Sequence, residues 1–329
     1  METPNFERIN YSLRPAKHVE RKMFCETFSK LSTLDKIQNY RYIGMGSAYF
    51  SDFTLFHKTL GIRKLLSIEG EKNYKERIHF NKPYACIKVK FGYTKDVLPI
   101  LPWSKWKNKS IVWLDFTEKL MEYMLGDIDI VTFNINPGSI FLISVNIERE
   151  EQEKEYLSNR KVTDKEYRIK KLIDNVGRKH IPQRAYDLNL NVEKNKEIIR
   201  EIINNTIIRS IQKRNDEVYY KQLFNLYYKD SADMLTVGGI IYNEEQKNKV
   251  NTIFNDLVFI RTDEECFNII VPKLTIREIH ALNKRLPNKE TLNTGIAKHG
   301  DKKIPLSEND VKNYANIYRY FPTFTESNL

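Results

Sequence analysis

Two glycines, a serine and an acid carry the first chemistry in this sequence. Tyr42-Ile43-Gly44-Met45-Gly46-Ser47 has the form of a strand breaking into a glycine turn, and Leu65-Leu66-Ser67-Ile68-Glu69 that of a second strand tipped with a carboxylate. Small residues at such a turn let backbone N–H groups come close to a ligand, and a carboxylate at the next strand tip can accept hydrogen bonds from ribose hydroxyls. Glu69 follows Gly46 by 23 positions, close to the spacing of nucleotide-type sites. Tyr49 stands where a dinucleotide site would place a third glycine. The closest backbone approach, which a pyrophosphate needs, is therefore missing, and the turn favours a smaller cofactor with an adenosine end. A tight turn in any α/β protein could carry the same residues.

A second group centres on Asp115, which ends the apolar run Ile111-Val112-Trp113-Leu114. Such a run reads as a buried parallel strand, and open α/β sheets bind ligands at the carboxyl ends of their strands. Asp115 could act there as a general base, a hydrogen-bond partner or a ligand for a divalent ion; it could equally cap a helix starting at Thr117-Glu118. Phe116 is a pocket wall or core. Arg14, Lys17 and Arg21 lie on neighbouring turns of an N-terminal helix, where they could meet an anionic substrate or a phosphate. His18 and His57 read as partly buried histidines.

These groups need elements to position them. Residues 15–39 have apolar residues at helical spacing, with Pro15 suited to a first turn. Strands are expected over Tyr40–Met45, Lys64–Ile68, Ala85–Phe91, Ser110–Asp115 and Ile140–Ile147. Helices are expected over Phe50–Leu60, Asp96–Leu101 and within Thr117–Asn134. This alternation implies βαβ units and a parallel sheet. From Glu148 the composition shifts: 148–172 is dominated by Glu, Lys and Arg and reads as an exposed helix or linker, and 192–213 as a helix with an isoleucine side and scattered basic residues, read first as a solvated face and, as the sharper alternative, as a nucleic-acid face. Met234–Tyr242 reads as a strand with a bulge or close approach at Gly238-Gly239. Leu257–Ile260 and Phe267–Val271 are expected to pair, Thr275–Arg285 to form a helix with a capping box, and the chain from Ser307 to be helical. The resulting organisation is a core over 1–147, a charged helical insertion over 148–230 and a mixed α/β portion over 231–329.

The 329 residues carry 41% hydrophobic and 29% charged residues, ordinary for a globular protein. No apolar run is long enough for a membrane span. The N-terminus lacks a signal layout, and Cys25, Cys86 and Cys266 are few and scattered, which suggests reduced thiols in a cytoplasm and no metal cluster. The net charge of +11 fits an anionic small molecule or nucleic acid as partner, and equally lysines on solvated faces. Nothing here reads out an oligomeric state.

Taken in order, the motifs resemble the class I S-adenosylmethionine-dependent methyltransferases. Gly44-Met45-Gly46-Ser47 matches their first motif and Glu69 the acid that holds the cofactor ribose; Phe91-Gly92 falls where that family places the adenine. Trp113-Leu114-Asp115-Phe116 matches the fourth-strand motif that faces donor methyl and substrate, and Pro137-Gly138-Ser139 resembles the turn before strand five. The match spans roughly 40–147. It implies a Rossmann-like, mostly parallel sheet flanked by helices, S-adenosyl-L-methionine as cofactor, and methyl transfer with Asp115 as the candidate base. The family's acid before the first glycine is absent, Arg41 or Tyr42 standing there, and Asp52 is the substitute within reach. No Asn/Asp-Pro-Pro-Tyr/Phe or Pro-Cys motif is present, which argues against the usual amino and cytosine-carbon methylations. Two competing readings remain at this point: a catalytically silent Rossmann-like module that binds nucleic acid or a protein, and a nucleotide-binding enzyme of another class.

Overall fold

The computed structural model describes residues 14–148, 163–295, 297–299, 302–304 and 306–322. Five parallel strands form the first half of the sheet: β1 (Arg41–Gly44), β2 (Lys64–Glu69), β3 (Ile87–Phe91), β4 (Ser110–Lys119) and β5 (Ser139–Asn146). Three more complete it: β6 (Tyr219–Lys229), β7 (Asp233–Tyr242) and β8 (Phe267–Ile269). The spatial order is β3-β2-β1-β4-β5-β7-β6-β8. Strand β7 runs antiparallel to both β5 and β6, and β8 is parallel to β6. The order reverses between β1 and β4, which opens a crevice at the carboxyl ends of the strands.

Alternation along the strands divides the core into two layers. On β4, Ile111 and Trp113 face one layer while Val112 and Leu114 face the other. The first layer packs under helix α1 (Pro15–Lys30) and helix α2 (Ser51–Leu60), with Phe24 set edge-on to Trp113 at 4.9 Å and Phe28 to Phe56 at 5.4 Å. The second lies under α5 (Glu122–Asn134), α6 (Asp164–Val176) and α7 (Val192–Gln212); between α2 and α5 the chain also forms the short helices α3 (Lys75–Phe80) and α4 (Thr94–Val97). Helix α7 turns Ile198, Ile199, Ile202, Ile203 and Ile207 into this layer, and its Lys196 and Arg200 are buried too, so it is a structural wall of the sheet rather than a solvated helix.

The stretch read as a charged helical insertion therefore contains a core helix and strand β6. A division at residue 230 falls in the β6–β7 turn. Strand β4 runs on to Lys119 through an irregularity between Asp115 and Lys119, so Thr117 and Glu118 are strand and Asp115 caps no helix. Helix α5 begins only at Glu122. Leu257–Ile260 is not a strand; β8 pairs with β6 instead. At Gly238 and Gly239 the need is close approach: a Cβ there would lie 2.1 Å from the Phe141 carbonyl oxygen and 2.0 Å from that of Lys221. The register shift lies opposite, between Gln222 and Phe224. The expected capping box at Thr275 and Glu278 opens a helix over Ile276–Asn283, and Ser307 caps one over Glu308–Ile317. Residues 149–162 of the expected linker lie outside the described residues.

Candidate active site

A cavity of about 390 Å³ opens at the carboxyl ends of β1, β2, β3 and β4. The β1–α2 loop forms its floor. Ser47 and Phe50 adopt left-handed φ values of 50° and 47°, a strain that non-glycine residues sustain only where the surroundings impose it. The loop is fastened by Gly46, whose N–H lies 2.9 Å from both the Ser67 hydroxyl and Oε1 of Glu69. A Cβ on Gly46 would meet the Phe50 ring at 2.6 Å and the Ser67 Oγ at 2.8 Å, so this glycine is required by its protein neighbours. Gly44 does not line the cavity; its missing Cβ makes room for the Tyr42 ring.

Burial pushes the Glu69 carboxyl up to about 7, against the hydrogen bonds from Ser67 and Gly46. Asp52, in the first turn of α2, also lines the cavity and is buried. It accepts a hydrogen bond from the Tyr42 hydroxyl. Burial raises its carboxyl as well, and Arg21 and Tyr42 oppose the rise. Arg41, the other residue near the missing family acid, stacks its guanidinium on Trp106 at 3.7 Å and takes no part in the cavity. Beyond β3, Gly92 lines the opposite wall with a left-handed φ of 148°; Tyr93, Thr94 and Lys95 follow it along that wall.

Asp115 and Phe116 close the side over β4. The Lys17 ammonium, fully buried, sits 2.6 Å from Oδ1 of Asp115 and 2.8 Å from Oε2 of Glu20, over the Trp113 ring at 4.2 Å. Glu20 accepts from the Thr236 hydroxyl, which shares a 2.7 Å bond with Ser144; Ser144 accepts from the Trp113 indole N–H at 2.9 Å. Burial pushes the Glu20 carboxyl up, opposed by the Lys17 charge. Lys17 and Arg14 therefore stand behind the site, not in it, whereas Arg21 lines the cavity. Arg14 lies 3.6 Å from Asp230, in the β6–β7 turn, and Asp230 also accepts from the backbone N–H groups of Ala16 and Lys17 at 3.1 Å each. A residue 213 positions away in sequence thus caps helix α1.

The network joining Glu20, Thr236 and Ser144 to Asp115 was not legible in the sequence, because its members come from α1, β5 and β7. Tyr123 lines the cavity from α5 with no local signal. Tyr93 and Thr94 could have been found as the helix start after β3.

Residues 9–329 match the protein family described as "Putative O-methyltransferase". The chain belongs to that family. No curated protein matches this O-methyltransferase family member. Among solved structures, it is similar to the O-methyltransferase TomG from Streptomyces achromogenes in complex with SAM, at 12% identity over 65% of this chain and 79% of that one, with a TM-score of 0.33. It is also similar to LepI in complex with SAH and a substrate analogue, at 9% identity and a TM-score of 0.34 over 61% of this chain, spanning 43% of LepI. A Haloferax volcanii methyltransferase solved with the Trm112 activator overlaps 69% of this chain and 94% of its own length, at 13% identity and a TM-score of 0.31. At such low overlap the strand order, not superposition, identifies the sheet as Rossmann-like. No helix among the described residues is long and apolar enough to cross a membrane.

Proposed function

We propose that the cavity binds S-adenosyl-L-methionine and that the protein transfers its methyl group to a hydroxyl of an anionic small molecule or of RNA. The observation that carries this reading is the meeting of Gly46, Glu69, Asp52, Gly92 and Asp115 around one cavity at the switch point of the sheet. Its volume lies within the roughly 300–1,000 Å³ usual for small-molecule sites. The residues suit the group. Glu69, tied to the glycine turn by the N–H groups of Gly46 and Ser47, lines the cavity where ribose hydroxyls would reach it, and Gly92 with Tyr93 lines the opposite wall, where a flat ring would lie. Asp52 takes over from the missing acid ahead of Gly44 and faces the donor's ammonium.

When bound, the donor supplies an electrophilic methyl on a sulfonium sulfur. Displacement is in line, so the protein's work is alignment and the handling of one proton. Asp115 stands on β4 where its pairing with β5 turns irregular, with Oδ1 held by Lys17 and its other oxygen able to accept the acceptor's hydroxyl proton. Phe116 is the wall that keeps that acceptor in place. The silent-module reading drew support from the absent acid before Gly44; a buried Asp52 in the cavity removes that support.

Titration calorimetry of the full chain with S-adenosylmethionine and S-adenosylhomocysteine tests the reading. Micromolar binding of both is expected, and no heat from either at high micromolar concentration would end it. Radiolabelled methyl transfer to anionic metabolites and to RNA would then separate the two acceptor classes.

A further inference from the structure

Among the described residues, five carboxylates line the cavity against two basic side chains, Arg21 and Lys95. The donor brings one net positive charge, which leaves the balance negative. An anion small enough to enter would meet mostly carboxylates. The charge that attracts an anion lies outside, at the edge of the sheet. Residues 70–97, from the end of β2 through α4, hold seven Lys and Arg against three Asp and Glu, so +4 of the net +11 falls in this short stretch. Strand β3 is the end strand of the sheet. Its Lys88 and Lys90, in register with Leu66 and Ile68, lie on the second-layer side, while α3, which opens with Lys75, covers the first-layer side through Ile78. Lys72 stands just ahead of α3. None of these four lysines has an acidic partner among the described residues, whereas Lys30, Lys213 and Lys247 pair with Asp256, Asp129 and Glu244. Phe80, the last residue of α3, is 89% exposed, the most of any large hydrophobic side chain among the described residues. Its neighbour His79 meets the Phe91 ring at 5.4 Å, which sets this end of α3 by the carboxyl end of β3. Tyr93, 64% exposed, joins this surface to the cavity it lines. Lysines on a sheet edge deter pairing with another chain, but a bare ring does not. Cations for phosphates and a ring for a base are together what a single nucleic-acid strand needs.

We propose that the β3 edge is a docking rim for single-stranded RNA, with phosphates on Lys72, Lys75, Lys88 and Lys90 and a base stacked on Phe80, and that the acceptor hydroxyl belongs to a nucleotide reaching from this rim into the cavity. As a choice of acceptor, the inference rests on the donor reading above. A long anion leaves its charges on the rim and sends in a sugar; a small anion must carry its charge in among the carboxylates. Internal nucleotides of DNA have no free hydroxyl for Asp115 to deprotonate, which selects RNA. From β3 across β2 and β1 to β4 is three strand spacings, roughly 14 Å, or about four stacked nucleotides.

The test is fluorescence anisotropy of the full chain, with S-adenosylhomocysteine present, using a labelled single-stranded RNA of about 12 nucleotides and mixed sequence. Binding should fall with salt at a log–log slope of about −3, from roughly 0.7 per phosphate contact at four lysines. Lys88→Gln combined with Lys90→Gln should make that slope shallower by about 1.4. Phe80→Ala should weaken RNA binding about fivefold or more, the scale of one base–ring stack, and leave S-adenosylhomocysteine affinity within about twofold. Lys273→Gln combined with Lys284→Gln, on exposed residues that line no part of the cavity, should leave the slope alone. Labelled adenosine monophosphate should bind about tenfold or more weaker than the RNA. The rim is overturned by no RNA binding at about 100 μM, the weak end of non-specific binding. It is overturned equally by a slope that the β3 pair does not move, by the same loss from the Lys273 and Lys284 pair, or by tighter binding of DNA of the same sequence. Binding of S-adenosylhomocysteine without RNA strikes this inference alone; failure of S-adenosylhomocysteine to bind strikes the donor reading and takes the acceptor claim with it.

Discussion

Replacing Glu69 by Gln should make the protein more stable and a poorer binder at the same time. In the folded protein this carboxyl is pushed up to about 7 from 4.5, with burial as the main cause. At about 1.36 kcal/mol per pH unit, charging it inside the cavity costs on the order of 3 kcal/mol relative to the unfolded chain. The folded state holds the proton more tightly, so the stabilising effect is complete below pH 4.5 and is lost as pH rises to about 7. Glutamine keeps an oxygen for the Gly46 N–H and Ser67 hydroxyl and never charges. In the cofactor-free protein at pH 8, Glu69→Gln should therefore gain up to about 3 kcal/mol in denaturant unfolding, with the gain vanishing near pH 4. Donor affinity should move the other way. Ribose hydroxyls lose a charged acceptor, which is worth roughly 1.5–3 kcal/mol, or about 10- to 150-fold in S-adenosylhomocysteine affinity at pH 8. Wild-type affinity should climb as pH rises through 7 and level off, while the variant stays flat. Comparing variant and wild type at each pH removes the contributions of Asp52, Glu20 and Asp127, which burial also raises. Unchanged affinity in Glu69→Gln at pH 8, or a wild-type affinity flat from pH 5.5 to 8, would refute the placing of this carboxylate against the donor.

Asp115→Asn should leave S-adenosylhomocysteine affinity within about threefold, since the donor is held elsewhere, while methyl transfer to any accepted hydroxyl falls about 10²- to 10⁴-fold; full turnover in the variant would remove Asp115 as base. Lys17→Met leaves the buried Glu20 facing Thr236 without its cation, and should cost roughly 3–5 kcal/mol in denaturant unfolding. A loss below about 1 kcal/mol there would mean that the buried group is simply neutral. Gly46→Ala should lower the melting temperature as well as donor affinity, with a cost of about 1–3 kcal/mol, because its new methyl would press on Phe50 and Ser67. A variant with unaltered melting that only loses the donor would instead place the obstruction in the cavity.

The first half of the fold was legible because its strands are short apolar runs punctuated by turn residues. Ile111-Val112-Trp113-Leu114 and Ile140-Phe141-Leu142-Ile143 have no polar interruption, as befits strands covered on both faces. Strand β6 was not, although its middle is as buried. Its register shift at Leu223 breaks the alternation that would have marked it, and Lys221, Gln222 and Asn225 mix with its tyrosines. The isoleucines of α7 were visible, but its lysines and arginines pulled the reading toward solvent; Lys196 and Arg200 instead find Glu193 and Glu264 at 2.7 and 2.9 Å. In the site, spacing placed Gly46, Glu69, Gly92 and Asp115 on one edge, since local turns and strand tips fix them. Sequence could not show that Lys17 turns inward to Asp115 while Arg21 faces the cavity, because that depends on how α1 rolls against β4 and β7.

The tie between Asp230 and the start of α1 bears on how this protein is made. Arg21 and Lys17 precede every strand of the sheet in the chain, yet the helix that presents them is fastened by Asp230, by Thr236 through Glu20, and by the Phe321 carbonyl, 3.3 Å from the Lys22 ammonium. A nascent chain that has just finished β5 has every glycine and acid of the cavity, and the Trp113, Phe56 and Asp115 contacts of its first helix, but not the ties from Asp230, Thr236 and Phe321. The helix beside the cavity is thus completed by chain that follows the cavity's own residues, and a product that stops at β5 lacks all three of these ties.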